Sequence, residues 1–326
     1  MAKAAATEEA LKSILAIREA PEKFDLKRDL APFLRHKSNH VVAAAAGTAE
    51  RLEAEALAQD LGDAFIDVMQ NPSKRDPGCK ALLAIAKALA AMDQAAARVY
   101  FLGIRHVQME ASFGPPVDAA AELRGVCAQG LARMLHPDAL PECVTLLADR
   151  EPAARAGAVR AIADSGASEG GLLLRLKALL GDKDEQVTAE CFAALLRIAP
   201  APSLEFVAGF LRGESDEVAE AAAFALGESH LAAAFPLLRR AWDETPVPER
   251  RRTLLLAMAM LRLDEALEFL LARVAEDSER TAEDAVAALS IYARDEAIRA
   301  RVEASVAARG SPRLRSTFAQ EFRNHS

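Results

Sequence analysis

Small apolar residues recur along much of this chain at i, i+4 and i+8, the spacing that lines one face of an α-helix. Three such runs align without gaps: Ala154, Ala158 and Ile162; Val187, Cys191 and Leu195; Val218, Ala222 and Leu226. The steps from Ala154 to Val187 and on to Val218 are 33 and 31 residues, the length of one helix-turn-helix unit in a repeat array. A further amphipathic segment precedes each of the last two runs, Leu172 to Leu180 and Leu204 to Leu211. Between segment and run lie the turns Gly181 to Asp184 and Arg212 to Ser215. Glycine accepts a left-handed backbone at a helix end, and Asp or Ser caps the free amides of the next helix, so Gly181, Gly213, Asp184 and Ser215 are predicted to do so.

The same pattern, more weakly marked, continues on both sides. Upstream it predicts helix pairs at 25–36 with 39–58, 61–70 with 77–92 and 94–108 with 118–135. Downstream it predicts 232–243 with 247–263, 265–276 with 279–292 and 294–308 with 312–323. Residues 1–20 read as an N-terminal capping helix, 137–231 as the clearest repeats and 294–326 as a C-terminal capping unit. No Pro-, Gly- or Ser-rich linker divides them, so the expectation is one continuous body over 1–326: all-α, a right-handed α-solenoid of about nine stacked antiparallel helix pairs.

The segment 137–231, with its acidic turn, a Val, spaced Ala and a terminal Leu, resembles HEAT-like repeats of the short kind found in phycobilisome-lyase families. The resemblance implies a HEAT-like superhelix. It also implies a ladder between units, made by an Asp in the turn and an Arg just after the Val position. Asp149 and Arg155 fit that pattern, while Thr188 and Ala219 interrupt it in the next two units. Second helices normally line the concave face of a solenoid. By helical phase Arg160, Glu190, Arg197, Glu217, Glu220 and Glu228 point away from the inter-repeat core and are candidate partner-binding residues on that face.

Composition sharpens this picture. Hydrophobic residues make up 52% of the chain and aromatics 5%, so the apolar mass is Ala, Leu and Val, suited to many thin helix contacts. The net charge is −8, and residues 201–300 alone hold 11 Lys and Arg against 19 Asp and Glu, while 301–326 hold five Arg against two Glu. An acidic third quarter argues against a general nucleic-acid binder, which shows a basic stripe. A concave face growing acidic toward the C-terminus suits a protein or peptide partner of basic character. The four cysteines form no CxxC pair and fall in apolar helical positions, which predicts reduced core thiols and a cytoplasmic protein. The longest nearly unbroken apolar run, Thr253 to Leu261, is far short of the ~20 residues of a membrane span.

The largest departure from the period is 107–117, where Gly114-Pro115-Pro116 stops the helix. This loop is predicted to expose Gln108, Glu110 and Phe113 as a second candidate partner-binding element. Arg239, Arg240, Arg250, Arg251 and Arg252 cluster around Trp242, but Asp243, Glu244 and Glu249 lie among them, so salt bridges within the repeat are expected. His36 and His40 have i, i+4 spacing, yet Ser38-Asn39 reads as a turn between them. Asp164 to Gly171 is glycine-rich but follows a helix and lacks the Lys of a phosphate loop. The expectation is a non-catalytic scaffold that binds another protein along its concave face, with no cofactor and no metal. Two alternatives remain: a lyase or lyase chaperone for a tetrapyrrole-bearing protein, implied by the resemblance, and a HEAT-like DNA-binding or DNA-repair protein.

Overall fold

The computed structural model describes residues 2–323; residues 324–326 of the expected last unit, His325 among them, lie outside the described residues. The helices gather into two compact units, Met1–Leu174 and Arg175–Ser326. The architecture is all-α, with one two-stranded exception.

The first unit runs α1 (Ala2–Glu19), α2 (Leu26–Asp29), α3 (Asn39–Arg51), α4 (Ala58–Val68), α5 (Pro72–Arg75), α6 (Lys80–Ala91) and α7 (Ala97–Ile104). A hairpin of β1 (Met109–Glu110) and β2 (Val117–Asp118) follows, then α8 (Ala121–Arg133), α9 (Ala139–Leu147) and α10 (Pro152–Asp164). Second helices pack in chain order, α1 on α3, α3 on α6, α6 on α8 and α8 on α10, while α4, α7 and α9 form the outer row. Each helix therefore buries its Ala- and Leu-rich stripe against the next pair rather than in one common centre. The closest crossing is α8 on α10: a Cβ added at Gly157 would stand 2.3 Å from the Gly125 Cα, so only glycine lets these backbones approach.

Three second helices of this unit, α3, α6 and α8, stop alike. Glu53, Asp93 and Leu135 take positive φ (48°, 50° and 53°), and the next amide bonds back five residues, Ala54 to Ala49 O, Gln94 to Leu89 O and His136 to Leu131 O. That is the Schellman stop, built here on non-glycine residues.

Helix α11 (Gly170–Leu180) straddles the boundary. The second unit continues with α12 (Glu185–Ile198), α13 (Pro200–Gly209), α14 (Asp216–Glu228), α15 (Phe235–Glu244), α16 (Pro248–Met260), α17 (Asp264–Glu276), α18 (Glu279–Leu289), α19 (Glu296–Arg309) and α20 (Pro312–Glu321). Again the second helices pack consecutively, α12 on α14, α14 on α16, α16 on α18 and α18 on α20. The aligned anchors of the sequence, Ala154 through Leu226, are buried except Val218, which is half-buried. Asp184 and Ser215 cap as expected, accepting from the Gln186 and Val218 amides. Gly181 takes φ +70°, as expected, but Gly213 sits at φ −62° and ψ 166°, because the preceding helix tightens into a 3-10 turn at Phe210–Arg212 and leaves in an extended conformation.

Ion pairs tie successive repeats of this unit. Arg250 donates to Asp216 (2.6 Å), Arg280 to Glu249 (3.3 Å) and Arg301 to Glu268 (2.6 Å), with sequence separations of 34, 31 and 33. The arginine cluster near Trp242 binds both within its repeat, as expected, and between repeats. Arg250 reaches the previous repeat and Arg252 lies 4.0 Å from Asp284 of the next, while Arg239 lies 4.0 Å from Asp243 of its own helix and Arg251 stacks 3.7 Å over the Trp242 ring. All four cysteines are free and buried. Burial pushes the Cys79, Cys143 and Cys191 thiols up to about 12 and the Cys127 thiol higher still, which keeps them from acting as thiolates near neutral pH.

Candidate functional site

The sequence singled out two places, and the structure treats them differently. In the first unit the 107–117 segment is a short antiparallel hairpin with Met109 opposite Asp118 and Glu110 opposite Val117. Its tip exposes Phe113 completely, together with Met109 and Val117. Gln108, expected on the surface, is 1% exposed. Its Nε2 donates to the Asp76 carbonyl (2.9 Å) and to Glu110 Oε1 (2.6 Å). An amide side chain buried between helices must find such partners, and Gln108 finds one 32 residues upstream and the other two residues on, so it is a structural peg. Glu110 is half-buried and also accepts from the Gly78 amide (2.8 Å).

Gln108 belongs to a polar ladder along the turns of this unit. Asp76, fully buried, accepts from the side chain of Asn39 and from the Ala81 and Leu82 amides that open α6 (each 2.9 Å). Arg124 donates Nη1 to Asp118 (2.6 Å) and to the His106 carbonyl (2.9 Å), and forks Nε and Nη2 onto both oxygens of Asp149 (2.9 Å each). Asp149, expected to ladder with Arg155, gives its carboxylate to Arg124 of the preceding repeat; Arg155 donates to the Asp149 and Arg150 carbonyls. The rung could have been read from the sequence, because Asp118 and Arg124 share the six-residue spacing of Asp149 and Arg155. His36 Nδ1 accepts from the Ser38 amide (3.0 Å), so His36 precedes α3 and does not share that helix with His40.

In the second unit an open furrow of about 990 Å3 crosses the second helices. Glu220 and Phe224 come from α14, Glu249, Arg252, Thr253 and Leu256 from α16, Asp284 from α18 and Glu321 from α20. A smaller cavity of about 420 Å3 between α14 and α16 opens onto the same Glu220, Glu249 and Thr253. Four carboxylates face one lining guanidinium over half-buried Phe224 and Leu256 and the alanines 287 and 288. Arg252 is 68% exposed on its side chain and only grazes Asp284, which is 22% exposed. Burial pushes the Asp284 carboxyl up; Glu283 and Glu249 add to that, and Arg252 and Arg280 oppose it. A carboxylate held in this way gains from an incoming cation, which would repay the cost of its desolvation.

Of the six residues placed on the concave face, only Glu220 lines this furrow. Glu217 lies in the first turn of α14, where its own backbone amide, and then Ser215 Oγ donating to its carboxylate (2.8 Å), hold its pKa below the usual value. Glu228 is exposed at the far end of the same helix. Arg160 is half-buried on α10 of the first unit, and Glu190 and Arg197 lie half-buried and exposed on α12; all three interact with other groups of the chain. Glu249, Asp284 and Glu321 were missed. For Asp284 the signal was the period, which sets it 32 residues after Arg252, whereas Glu249 and Glu321 fall 29 residues after Glu220 and 37 after Asp284, off that step. The one Trp and both Tyr are buried, Tyr100, Trp242 and Tyr292, and Tyr292 Oη donates to the Ala259 carbonyl (2.7 Å).

A family model described as HEAT repeats matches residues 203–290. Residues 203–290 carry HEAT repeats. The matched HEAT segment contains α14, α16 and α18, the helices that supply most of the furrow. No curated protein matches the chain. Among solved structures, it is similar to an engineered protein (15% identity, 98% of this chain and 94% of that one, TM-score 0.39). It is also similar to human deoxyhypusine hydroxylase in complex with glycerol (18% identity, 85% and 100%, TM-score 0.33). A third is the complex of CpcE and CpcF of phycocyanin lyase from Nostoc sp. PCC7120 (13% identity, 90% and 94%, TM-score 0.35). These are slight likenesses and carry no argument about activity or partner. Among the described residues, no helix is long and apolar enough to cross a membrane.

Proposed function

We propose that this HEAT-repeat chain is a non-catalytic scaffold that holds a basic segment of another protein in the furrow across α14, α16 and α18. The observation that carries the reading is the furrow's chemistry: Glu220, Glu249, Asp284 and Glu321 surround an apolar floor of Phe224 and Leu256 with Arg252 as the one lining cation. An amphipathic helix with Arg or Lys beside Leu presents the matching surface, apolar anchors to the floor and cations to the rim.

The test uses a fluorescent helix-forming peptide with Leu at i, i+4 and i+7 and Arg between, titrated by anisotropy into the full chain. Saturable binding that weakens with salt is expected, and Glu220→Lys with Glu249→Lys should weaken it roughly tenfold or more, the scale of losing complementary charges at a contact. Equal affinity for the double variant and the parent protein would refute the assignment.

A further inference from the structure

We propose that the cleft between α19 and α20 is a second docking site, of opposite charge, for an acidic amphipathic helix of a partner protein. This cleft, about 910 Å3 in volume, is lined from α19 by Arg299, Glu303 and Val306. Helix α20 contributes Arg315, Phe318 and Phe322 at i, i+3 and i+7, with Arg323 beyond them. Phe318 and Phe322 stack on each other with centroids 4.5 Å apart. Val306 and Phe322 are buried while Phe318 stays half-buried, so the floor is apolar and partly open.

Several arginines of the unit are already engaged. Arg250, Arg280, Arg301 and Arg313 are spent on carboxylates of the preceding repeat, and Arg309 donates to the Val274 and Asp277 carbonyls. Among the described residues, Arg299 and Arg315 make no side-chain ion pair or hydrogen bond, and Arg323, just past the end of α20, donates only to the Ala319 carbonyl of that helix (2.6 Å). In a chain of net charge −8, three guanidiniums without carboxylates gather where Glu303 is the one acidic lining residue.

Two antiparallel helices with an apolar floor form the groove into which a third helix lays its i, i+3, i+4 and i+7 side chains. Guanidiniums at the rim select carboxylates flanking those anchors, with bidentate geometry available at each. A long polyanion or a membrane surface is a poorer match, because Glu303 lies within the cleft and Glu321, on the same α20, lines the acidic furrow. Helix α20 thus separates two sites of opposite charge. The proposal stands on residues that the furrow does not use.

The test titrates a labelled helix-forming peptide carrying Leu at i, i+4 and i+7 and Glu between into the full chain. Phosphatidylserine vesicles and a single-stranded RNA oligonucleotide are run alongside. Saturable binding of the acidic peptide is expected, weakened roughly tenfold or more by Arg299→Glu with Arg315→Glu and less by Arg299→Gln with Arg315→Gln. Glu220→Lys with Glu249→Lys should leave it unchanged, which separates this site from the furrow. Arg315 is exposed and Arg299 half-buried, and thermal melting checks that the variants fold. Absence of saturable peptide binding, equal affinity in the charge-reversed variant, or tighter binding of vesicles or RNA at the same arginines would overturn the proposal.

Discussion

Replacing Arg124 with Met tests whether the polar ladder holds the first unit together. The guanidinium is 4% exposed on its side chain and faces Asp118, also 4% exposed, and Asp149, 17% exposed. It makes three hydrogen bonds to these carboxylates and one to the His106 carbonyl. Met keeps the aliphatic stem but leaves two carboxylates in a buried setting without their cation. Removing one member of a buried ion pair costs about 3–5 kcal/mol, since the uncompensated charge remains in place. For a unit of this size each kcal/mol lowers Tm by ~2–4 °C, so a fall of roughly 6–20 °C is expected in calorimetry of the full chain. Adding Asp149→Leu and Asp118→Asn should return much of the loss, because an apolar set can replace a buried ion network without net cost. The acid limb supplies a second check. Burial raises the Asp118 carboxyl, but amide bonds from Gln108 and Ala120 and the Arg124 guanidinium outweigh it and hold the pKa below the ordinary value. A carboxylate depressed in the folded state contributes stability that is present above its unfolded pKa, near 3.9, and is lost as pH falls through the folded value. Without Arg124 that loss should begin at higher pH. A destabilisation under about 1 kcal/mol, typical of an exposed pair, would refute the claim that this network is buried and structural.

Two further outcomes follow from local geometry. Leu135 sits at φ 53° and is 74% exposed, so Leu135→Gly should relieve left-handed strain of ~1–2 kcal/mol against an entropic cost of ~0.5–1 kcal/mol, raising the urea midpoint slightly. The Asp284 carboxyl is raised in the folded protein, chiefly by burial, so its ionised form opposes folding above the folded pKa and that opposition vanishes below the unfolded one. Asp284→Asn should therefore stabilise the chain near neutral pH, and urea denaturation should show the gain shrinking as the solution is acidified through the carboxylate range.

The sequence by itself determined the repeat and its helices. Apolar spacing at i, i+4 and i+8 and a step of 31 to 33 residues are local properties, and the anchors they name are buried almost without exception. Capping by Asp184 and Ser215 was equally local. Only tertiary structure decided which polar residues face outward. Gln108 looked like loop surface because its partner, the Asp76 carbonyl, lies 32 residues upstream, and nothing near Gln108 announces it. Arg124 holds Asp149 across 25 residues for the same reason. The furrow shows the limit most clearly: helical phase placed Glu217, Glu220 and Glu228 together on one helix, yet the site takes Glu220 alone and completes itself with Glu249, Asp284 and Glu321 from neighbouring helices. A helix's own pattern states which face is apolar, but which of its polar edges meets a neighbour's depends on the crossing of two helices, and that is settled by packing between chain segments a full repeat apart.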